Sequence, residues 1–213
     1  FHNTKGSQKT RKKKITCYGS NLMAVLKRCD WVSGEIHTKY HDTEWGVPLH
    51  NDRKLLEFLL LDGAQAGLSW DTILKRRVAY RKAFDNFDAR KIAEYKKSDI
   101  NSLMKNEEIL RNRQKIESFV NNSKRFLEVK DEFGSFDKYI WQFVNYNTIH
   151  NKFRIWNEIP AISAESELMS KDMKKRGFTF TGSIICYAFM QTVGMVNDHV
   201  VSCFRHKEIQ NSL

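Results

Sequence analysis

Apolar residues recur along this chain with the spacing of amphipathic helices. Two stripes follow positions i, i+3, i+4 and i+7 or a close variant: Phe136, Tyr139, Ile140, Phe143 and Val144 in one, and Ile116, Phe119, Val120 and Leu127 in the other. This period places the apolar side chains on one face of a helix. No alternating run is long enough for a substantial sheet, and no internal repeat is visible. The pattern therefore predicts an all-α fold in one compact body.

Capping residues predict where several helices begin and end. Asn51 or Asp52 can cap the apolar helix that follows, and Ser98-Asp99 can cap a short helix that reaches about Met104. Further helices are predicted over 72–84 and over 166–176, and Gly177 supplies the stop signal for the second.

Composition is that of a globular protein with a sizeable core. The 213 residues are 41% hydrophobic and 12% aromatic. The most apolar run, 55–61, is short and contains Glu57, so no membrane span is expected. The basic N-terminal stretch lacks a following apolar region, so no signal peptide is expected either.

Positive charge is concentrated at the beginning of the sequence. The formal net charge is +11, and residues 1–28 contain eight lysines and arginines and no acid. We interpret 1–28 as a disordered basic arm that adds non-specific attraction to phosphates. A targeting segment or a solubilising tail would have the same composition.

Two pairs of residues have the chemistry of metal ligands. Cys29 and His41 lie near one end of the sequence, and His199 and Cys203 lie near the other. We predict a helix over 197–203, which would put the second pair on one face. Two sulfurs and two nitrogens suit tetrahedral structural Zn²⁺ and leave no open position for substrate. Four unrelated residues remain the alternative on spacing alone, and thiols beside histidines favour a reducing, intracellular location.

Several motifs agree in order and spacing with one known family. They are the segments 40–48 (YHDTEWGVP), 61–70 (LDGAQAGLSW), 174–178 (KKRGF), 185–187 (ICY) and 197–199 (NDH). Together they closely resemble the 3-methyladenine DNA glycosylase I family, a branch of the helix-hairpin-helix DNA glycosylases. The resemblance covers residues 29–204, which we take as the catalytic domain, with 205–213 as a C-terminal tail. It also implies that Cys29, His41, His199 and Cys203 bind one structural zinc ion.

The resemblance implies excision of 3-methyladenine from alkylated double-stranded DNA. Such an enzyme flips the damaged base into a pocket, where Trp70 would stack on the cationic ring. Tyr40 and Trp31 match positions of the pocket wall, and His37 is a further candidate that could equally be a solvated loop residue. Core packing is the alternative for Trp70 and Tyr40, and we interpret Trp45 as core.

Asp62 departs from the family pattern. Well-known members carry glutamate at this position, which contacts the flipped base, and we assign Asp62 the catalytic role here. Its shorter side chain could act through a bridging water. Ala64 stands where some members carry glutamine, so the pocket could be less polar and accept a broader set of alkylated bases.

The DNA-anchoring hairpin is expected between Ser98 and Leu127. Its turn would lie around 105–110, with a second helix starting near Arg111. Arg111, Arg113 and Lys115 would supply positive charge for phosphates, although the turn lacks glycine and carries two glutamates. An ordinary helix pair with a solvated basic edge is the alternative.

The branch lacks the catalytic aspartate that many helix-hairpin-helix glycosylases carry after the hairpin. We interpret Asp137 as a residue of a helix's first turn, and we predict a monofunctional, monomeric enzyme with water as nucleophile. An inactive DNA-binding module is a rival hypothesis. A zinc hydrolase is less favoured, because four protein ligands leave no vacancy for water.

Overall fold

Helices make up most of the secondary structure in the computed structural model, which describes residues 26–211. This confirms the predicted helical class. The α-helices are α1 Gly34–Thr43, α2 Asp52–Gln65, α3 Trp70–Ala83, α4 Ala89–Ala93, α5 Lys97–Leu103, α6 Arg113–Phe133, α7 Phe136–Trp141, α8 Ala164–Lys175, α9 Ser183–Thr192 and α10 Phe204–Asn211. Short 3-10 turns occupy Asp85–Phe87, Gln142–Val144 and Trp156–Glu158, and the basic arm lies mostly outside the described residues.

The predicted caps are found close to their expected positions. Asn51 precedes α2, and its side chain accepts a hydrogen bond from Lys54 N. Asp99 acts from inside α5, where its carboxylate accepts from Lys96 N. These contacts satisfy backbone N–H groups that a helix start leaves without partners.

Helix α2 is the centre of the core. Its residues 55–64 are all buried, and it packs against α3, α6, α7 and α9. The two apolar stripes lie on α6 and α7, with Phe119, Phe136 and Tyr139 almost fully buried. A continuous core therefore holds α2 on several sides at once.

A buried ion cluster fixes α2 against α3. Arg77 donates to Glu57 Oε1 at 2.5 Å and to Glu44 Oε2 at 2.7 Å, and Arg81 also reaches Glu57. The guanidinium of Arg77 lies 4.6 Å from the centre of the Phe58 ring. Because Arg77 and Glu57 are both buried, removal of one partner would leave an unpaired charge inside the protein.

The segment 197–203 is not a helix, which corrects the sequence prediction. Val196–Asn197 forms β2, which pairs in parallel with β1, Ile149–His150. Residues 198–203 are turns, closed by a hydrogen bond from Cys203 N to Val200 O, and α10 begins only at Phe204. The extended pairing of β2 prevents a helix from starting here.

The predicted C-terminal tail contains an ordered helix. Residues 204–211 form α10, with His206 and Ile209 buried against the body of the protein. His206 Nε2 bonds Asn151 O at 2.8 Å. Within 26–211, no helix has both the length and the apolar character needed to cross a bilayer.

A close backbone approach joins the segment that follows α1 to the end of α9. Gly46 N donates to Gln191 O, and Leu49 N donates to Val193 O. Gly194 has φ +74°, and a Cβ at this position would overlap the Val47 carbonyl and Pro48 N. Only glycine satisfies both the left-handed conformation and the contact.

We expect Gly194→Ala to destabilise the protein by about 3 kcal/mol or more, because strain and backbone overlap add. Gly67→Ala is the matched control: it has φ +77° but open space around its Cβ position, so its cost should be about 1–2 kcal/mol. Urea unfolding of both variants measures the difference. Equal losses of unfolding free energy in the two variants would show that the close approach of 194 to 47–48 adds no cost.

Candidate functional site

A cavity of about 310 Å³ lies among α1, α2, α3 and α9. All five residues predicted for the pocket line it: Trp31, His37, Tyr40, Asp62 and Trp70. Its volume is at the lower end for ligand pockets. A larger cleft of about 460 Å³ lies between α2, α4 and α6. That cleft contains none of the predicted site residues, so we locate the chemistry in the smaller, aromatic cavity.

The motif 61–70 forms a tight helix–turn–helix that places Asp62 and Trp70 in the cavity. Helix α2 ends at Gln65, and Gly67 turns the chain with φ +77°. Ser69 then caps α3 by accepting from Thr72 N, so Trp70 is the first residue of that helix. The two side chains are thereby fixed by the ends of rigid elements.

The aromatic residues of the cavity contact one another. Tyr40 and Trp70 have ring centroids 5.6 Å apart, and the Tyr40 hydroxyl donates to Thr192 Oγ1 at 3.2 Å. Trp31 meets Trp45 edge-on at 5.2 Å. The indole N–H groups of Trp31 and Trp70 are buried and have no hydrogen-bond partner in the protein. These two donors are therefore available to a ligand.

Asp62 is a buried carboxyl without a nearby compensating charge. It is 1% exposed, and its Oδ2 has no hydrogen-bond partner. Burial raises the pKa of Asp62 well above its ordinary value, and the more distant Arg77 offsets this only in part. Asp62 lies in the last turn of α2 and lines the cavity.

His37 lies at the edge of the cavity between two polar partners. Its Nδ1 is 3.2 Å from Ser33 Oγ, and its Nε2 is 3.4 Å from Asp71 Oδ1. Its ring also meets Trp31 edge-on at 5.9 Å. The structure thus places His37 on the pocket wall rather than in a free loop.

Sequence reasoning missed several residues of the cavity wall. Trp45 is buried as expected of core, yet it also lines the cavity, as do Trp156, Gln191 and Thr192. The spacing of Ala188, Gln191 and Thr192 on one helical face could have suggested a shared wall. Trp156 lies in the 151–163 connection, which carries no periodic signal. Ala64 is buried and does not line the cavity, so it adds no polar group to the pocket.

Three of the four candidate metal ligands form one buried cluster, and the fourth, Cys203, lies beside it. The ligand atoms of Cys29, His41 and His199 lie within 4.8 Å of one another. Cys203 Sγ joins them, 3.4 Å from His41 Nε2. A hydrogen bond from the Cys29 thiol lowers the pKa of Cys203 to about 5. A turn, rather than the predicted helix, brings His199 and Cys203 together.

The cluster fits a tetrahedral cation. Both ring nitrogens of His199 are buried without a partner, and burial lowers the pKa of that ring to about 3, so it is neutral. A neutral imidazole and thiolates are the forms that bind metal. His41 turns Nδ1 to Asp42 Oδ1 at 2.7 Å, and Arg28 holds that carboxylate from the other side. This orients His41 Nε2 toward the cluster.

Asp198 has a different environment from Asp42. It adjoins His199 in sequence, but its carboxylate accepts from Asn151, Tyr187 and Gln191. Asp198 therefore holds these three side chains, whereas Asp42 holds a ligand histidine.

The hairpin residues fall into two groups. Residues 104–112 join α5 to α6. Asn112 caps α6, which begins at Arg113, two residues beyond the expected start. Arg111 and Arg113 are exposed and pair with the neighbouring acids Glu107 and Glu117. Lys115 is buried instead, which corrects its assignment as a phosphate contact. Its ammonium donates to the carbonyls of Ala64 and Ala66, both at 2.7 Å.

Asp137 occupies the first turn of α7, as predicted. Its carboxylate pairs with His50 at 2.8 Å, and it does not line the aromatic cavity.

The chain has relatives of known function along most of its length. The chain matches the methyladenine glycosylase family over residues 31–206. It is 42% identical over 179 residues to DNA-3-methyladenine glycosylase 1 of Escherichia coli K12, covering 84% of this chain and 96% of that protein. It is 44% identical over 180 residues to DNA-3-methyladenine glycosylase of Haemophilus influenzae, covering 84% and 97%.

Solved structures agree with the sequence relatives. A crystal structure of 3-methyladenine DNA glycosylase I superposes with a TM-score of 0.82 at 42% identity, covering 84% of this chain and 98% of the other. A structure of 3-methyladenine DNA glycosylase I in complex with 3-methyladenine gives 0.79 at 32% identity, covering 81% and 92%. The fold and the family are therefore shared over most of the chain.

We expect Asp62 to make stability depend on pH. Its folded-state pKa is raised above the unfolded value near 3.8, so the folded protein keeps a proton that the unfolded chain releases. Stability from this group is present below about pH 4 and is lost as pH rises toward the folded pKa. Asp62→Asn removes the titration, so the melting temperature of the wild type minus that of the variant should fall from pH 4.5 to 8. A difference that stays flat would mean that Asp62 is ionised in the folded protein.

Proposed function

The chain belongs to the methyladenine glycosylase family, and we propose that it hydrolytically excises 3-methyladenine from alkylated DNA. The observation that carries the proposal is the aromatic cavity that holds an unpaired carboxyl, Asp62, together with Trp70 and Tyr40. Catalysis on a base inside a duplex requires that the base be flipped out into such a pocket.

The lesion itself explains why an aromatic pocket suits this reaction. Methylation at N3 gives the adenine ring a positive charge, and the faces of Trp70 and Tyr40 attract a cation. As the C1′–N9 bond breaks, its electron pair passes to the base, which leaves as a neutral molecule. Strong acid assistance is therefore not required.

Asp62 is the carboxyl that meets the base. In the empty cavity burial favours its neutral form, whereas a cationic base would favour the carboxylate. We assign it the hydrogen bonding of the base's polar edge and the stabilisation of positive charge as the bond to the sugar weakens. Its buried Oδ2 has no hydrogen-bond partner in the protein and can accept one from the base.

Water completes the reaction as nucleophile. Its oxygen bonds C1′ while the base departs, and the proton it releases passes to solvent, which leaves an abasic site. No lysine lines the cavity among the described residues, which is consistent with a monofunctional enzyme. We further propose that the protein acts as a monomer on double-stranded DNA inside the cell.

We propose that Cys29, His41, His199 and Cys203 hold one structural zinc ion. The support is their convergence, their burial and the unpartnered nitrogens of His199. Four protein ligands leave no position for water, so the metal would supply no chemistry to the reaction. It would instead join the segment 28–41 to the segment 199–203.

Base release from methylated double-stranded DNA, resolved by chromatography, tests the proposed activity. We expect the wild type to release 3-methyladenine and Asp62→Asn to do so at least about tenfold more slowly, because Asn cannot supply the negative charge that strengthens the contact to a cationic base. Asp137→Asn is the matched control and should match the wild type. Loss of activity only in the control would identify Asp137, rather than Asp62, as the catalytic carboxylate.

Two other outcomes separate the alternatives. Release of several alkylated bases would indicate the broader specificity considered for this pocket. No release by a folded wild type that binds DNA would identify an inactive binding module.

The zinc proposal predicts that Cys203→Ala loses the metal and stability together. A loss of several kcal/mol corresponds to a fall in melting temperature of about 10 °C for a chain of this size. Cys186→Ala is the matched control, since Cys186 is equally buried but outside the cluster. Elemental analysis should find about one zinc per chain in the wild type and control. A Cys203 variant that kept its zinc would refute the ligand set.

A further inference from the structure

Gln191 is a polar residue of the cavity wall that has no assigned role. It shares one face of α9 with Ala188 and Thr192, and all three line the cavity. Thr192 accepts the hydroxyl hydrogen of Tyr40, which places this face beside the base-stacking residues.

Asp198 holds the amide of Gln191. Gln191 Nε2 donates to Asp198 Oδ2 at 2.8 Å. The same carboxyl accepts from the Tyr187 hydroxyl and from Asn151 Nδ2, both at 2.7 Å. Asp198 is 1% exposed, so its orientation is fixed by these three donors.

This contact determines which end of the Gln191 amide faces away from Asp198. A carboxylate only accepts hydrogen bonds, so it selects the NH₂ group of a neighbouring amide. The carbonyl Oε1 then points away, and it has no partner among the described residues. An amide without such a neighbour could turn over and offer a donor instead.

We propose that Gln191 determines the specificity of the pocket by presenting Oε1 as a fixed acceptor to the 6-amino group of the flipped base. The inference rests on the proposed excision of 3-methyladenine. A guanine-type lesion carries a 6-oxo group at this position, which would bring two acceptors together without a hydrogen between them. Polar mismatch of this kind discriminates more strongly than a small difference in size.

Asp62 alone does not provide this discrimination. A buried carboxyl that gains and loses a proton can donate to an oxo group or accept from an amino group. Burial raises the pKa of Asp62 and so favours the protonated form, which can donate to an oxo group. Gln191, whose NH₂ group is held by Asp198, presents only a hydrogen-bond acceptor.

Two variants separate the acceptor from the volume of the side chain. Gln191→Met keeps the length and loses the polar atoms. Gln191→Glu keeps an oxygen acceptor, and its carboxyl, protonated by contact with the Asp198 carboxylate, still donates one hydrogen bond to Asp198. We expect Gln191→Met to lower the preference for 3-methyladenine over 3-methylguanine about tenfold, the value of one unmade hydrogen bond. Gln191→Glu should keep most of the preference. The control is Gln142→Met, because Gln142 bonds Tyr139 O far from the cavity wall.

The preference is measured as the ratio of the two bases released from methylated DNA and, independently, as the ratio of the two free bases' dissociation constants. Melting temperatures identify any variant that fails to fold. An unchanged ratio in folded Gln191→Met would overturn the proposal, as would equal losses in the Met and Glu variants. If the wild type released no base, the proposed function would fail, but free-base binding would still decide the role of Gln191.

Discussion

The ammonium of Lys115 connects the parts of this molecule that must act together. It donates to the carbonyls of Ala64 and Ala66, where α2 ends and the turn toward Trp70 begins. Carbonyls at a helix end need partners, and here they find one on α6. The second helix of the hairpin and the rim of the base pocket therefore share one contact. A rotation of α6 would leave the carbonyls of Ala64 and Ala66 without this partner, or it would move the turn that leads to Trp70.

The metal cluster and the base pocket also share walls. Trp45 stacks on His199 with ring centroids 4.5 Å apart, and it lines the cavity. Trp31 meets His41 edge-on at 5.5 Å and reaches the cavity as well. The cluster thus lies directly behind the aromatic wall. The proposed zinc would act on the reaction only through the positions of these two rings.

The sequence predicted features that depend on local pattern or on motif spacing. The stripes of α6 and α7, the cap at Asn51 and the pocket residues Asp62 and Trp70 belong to this group. Sequence-based prediction was wrong where tertiary contacts determine the structure. The pairing of β2 overrides the helical spacing of His199 and Cys203. Lys115 turns inward to backbone carbonyls 49 and 51 residues away in the chain. Trp156 and Gln191 were missed because nothing local marks a residue whose partners come from distant segments. The basic arm and the zinc ion stay predictions.

The close approach of Gly194 to Val47 and Pro48 has a consequence for the order of events in synthesis. Several backbone and cluster contacts of the segment 28–49 are made by 191–206, about 150 residues later in the chain. A ribosome adds about 5–20 residues per second, so these contacts wait roughly eight to thirty seconds. During that time the indoles of Trp31 and Trp45 and the thiol of Cys29 lack their final neighbours. The nascent chain is most exposed to aggregation and oxidation in this interval, and the wall of its pocket becomes complete only when α9 emerges.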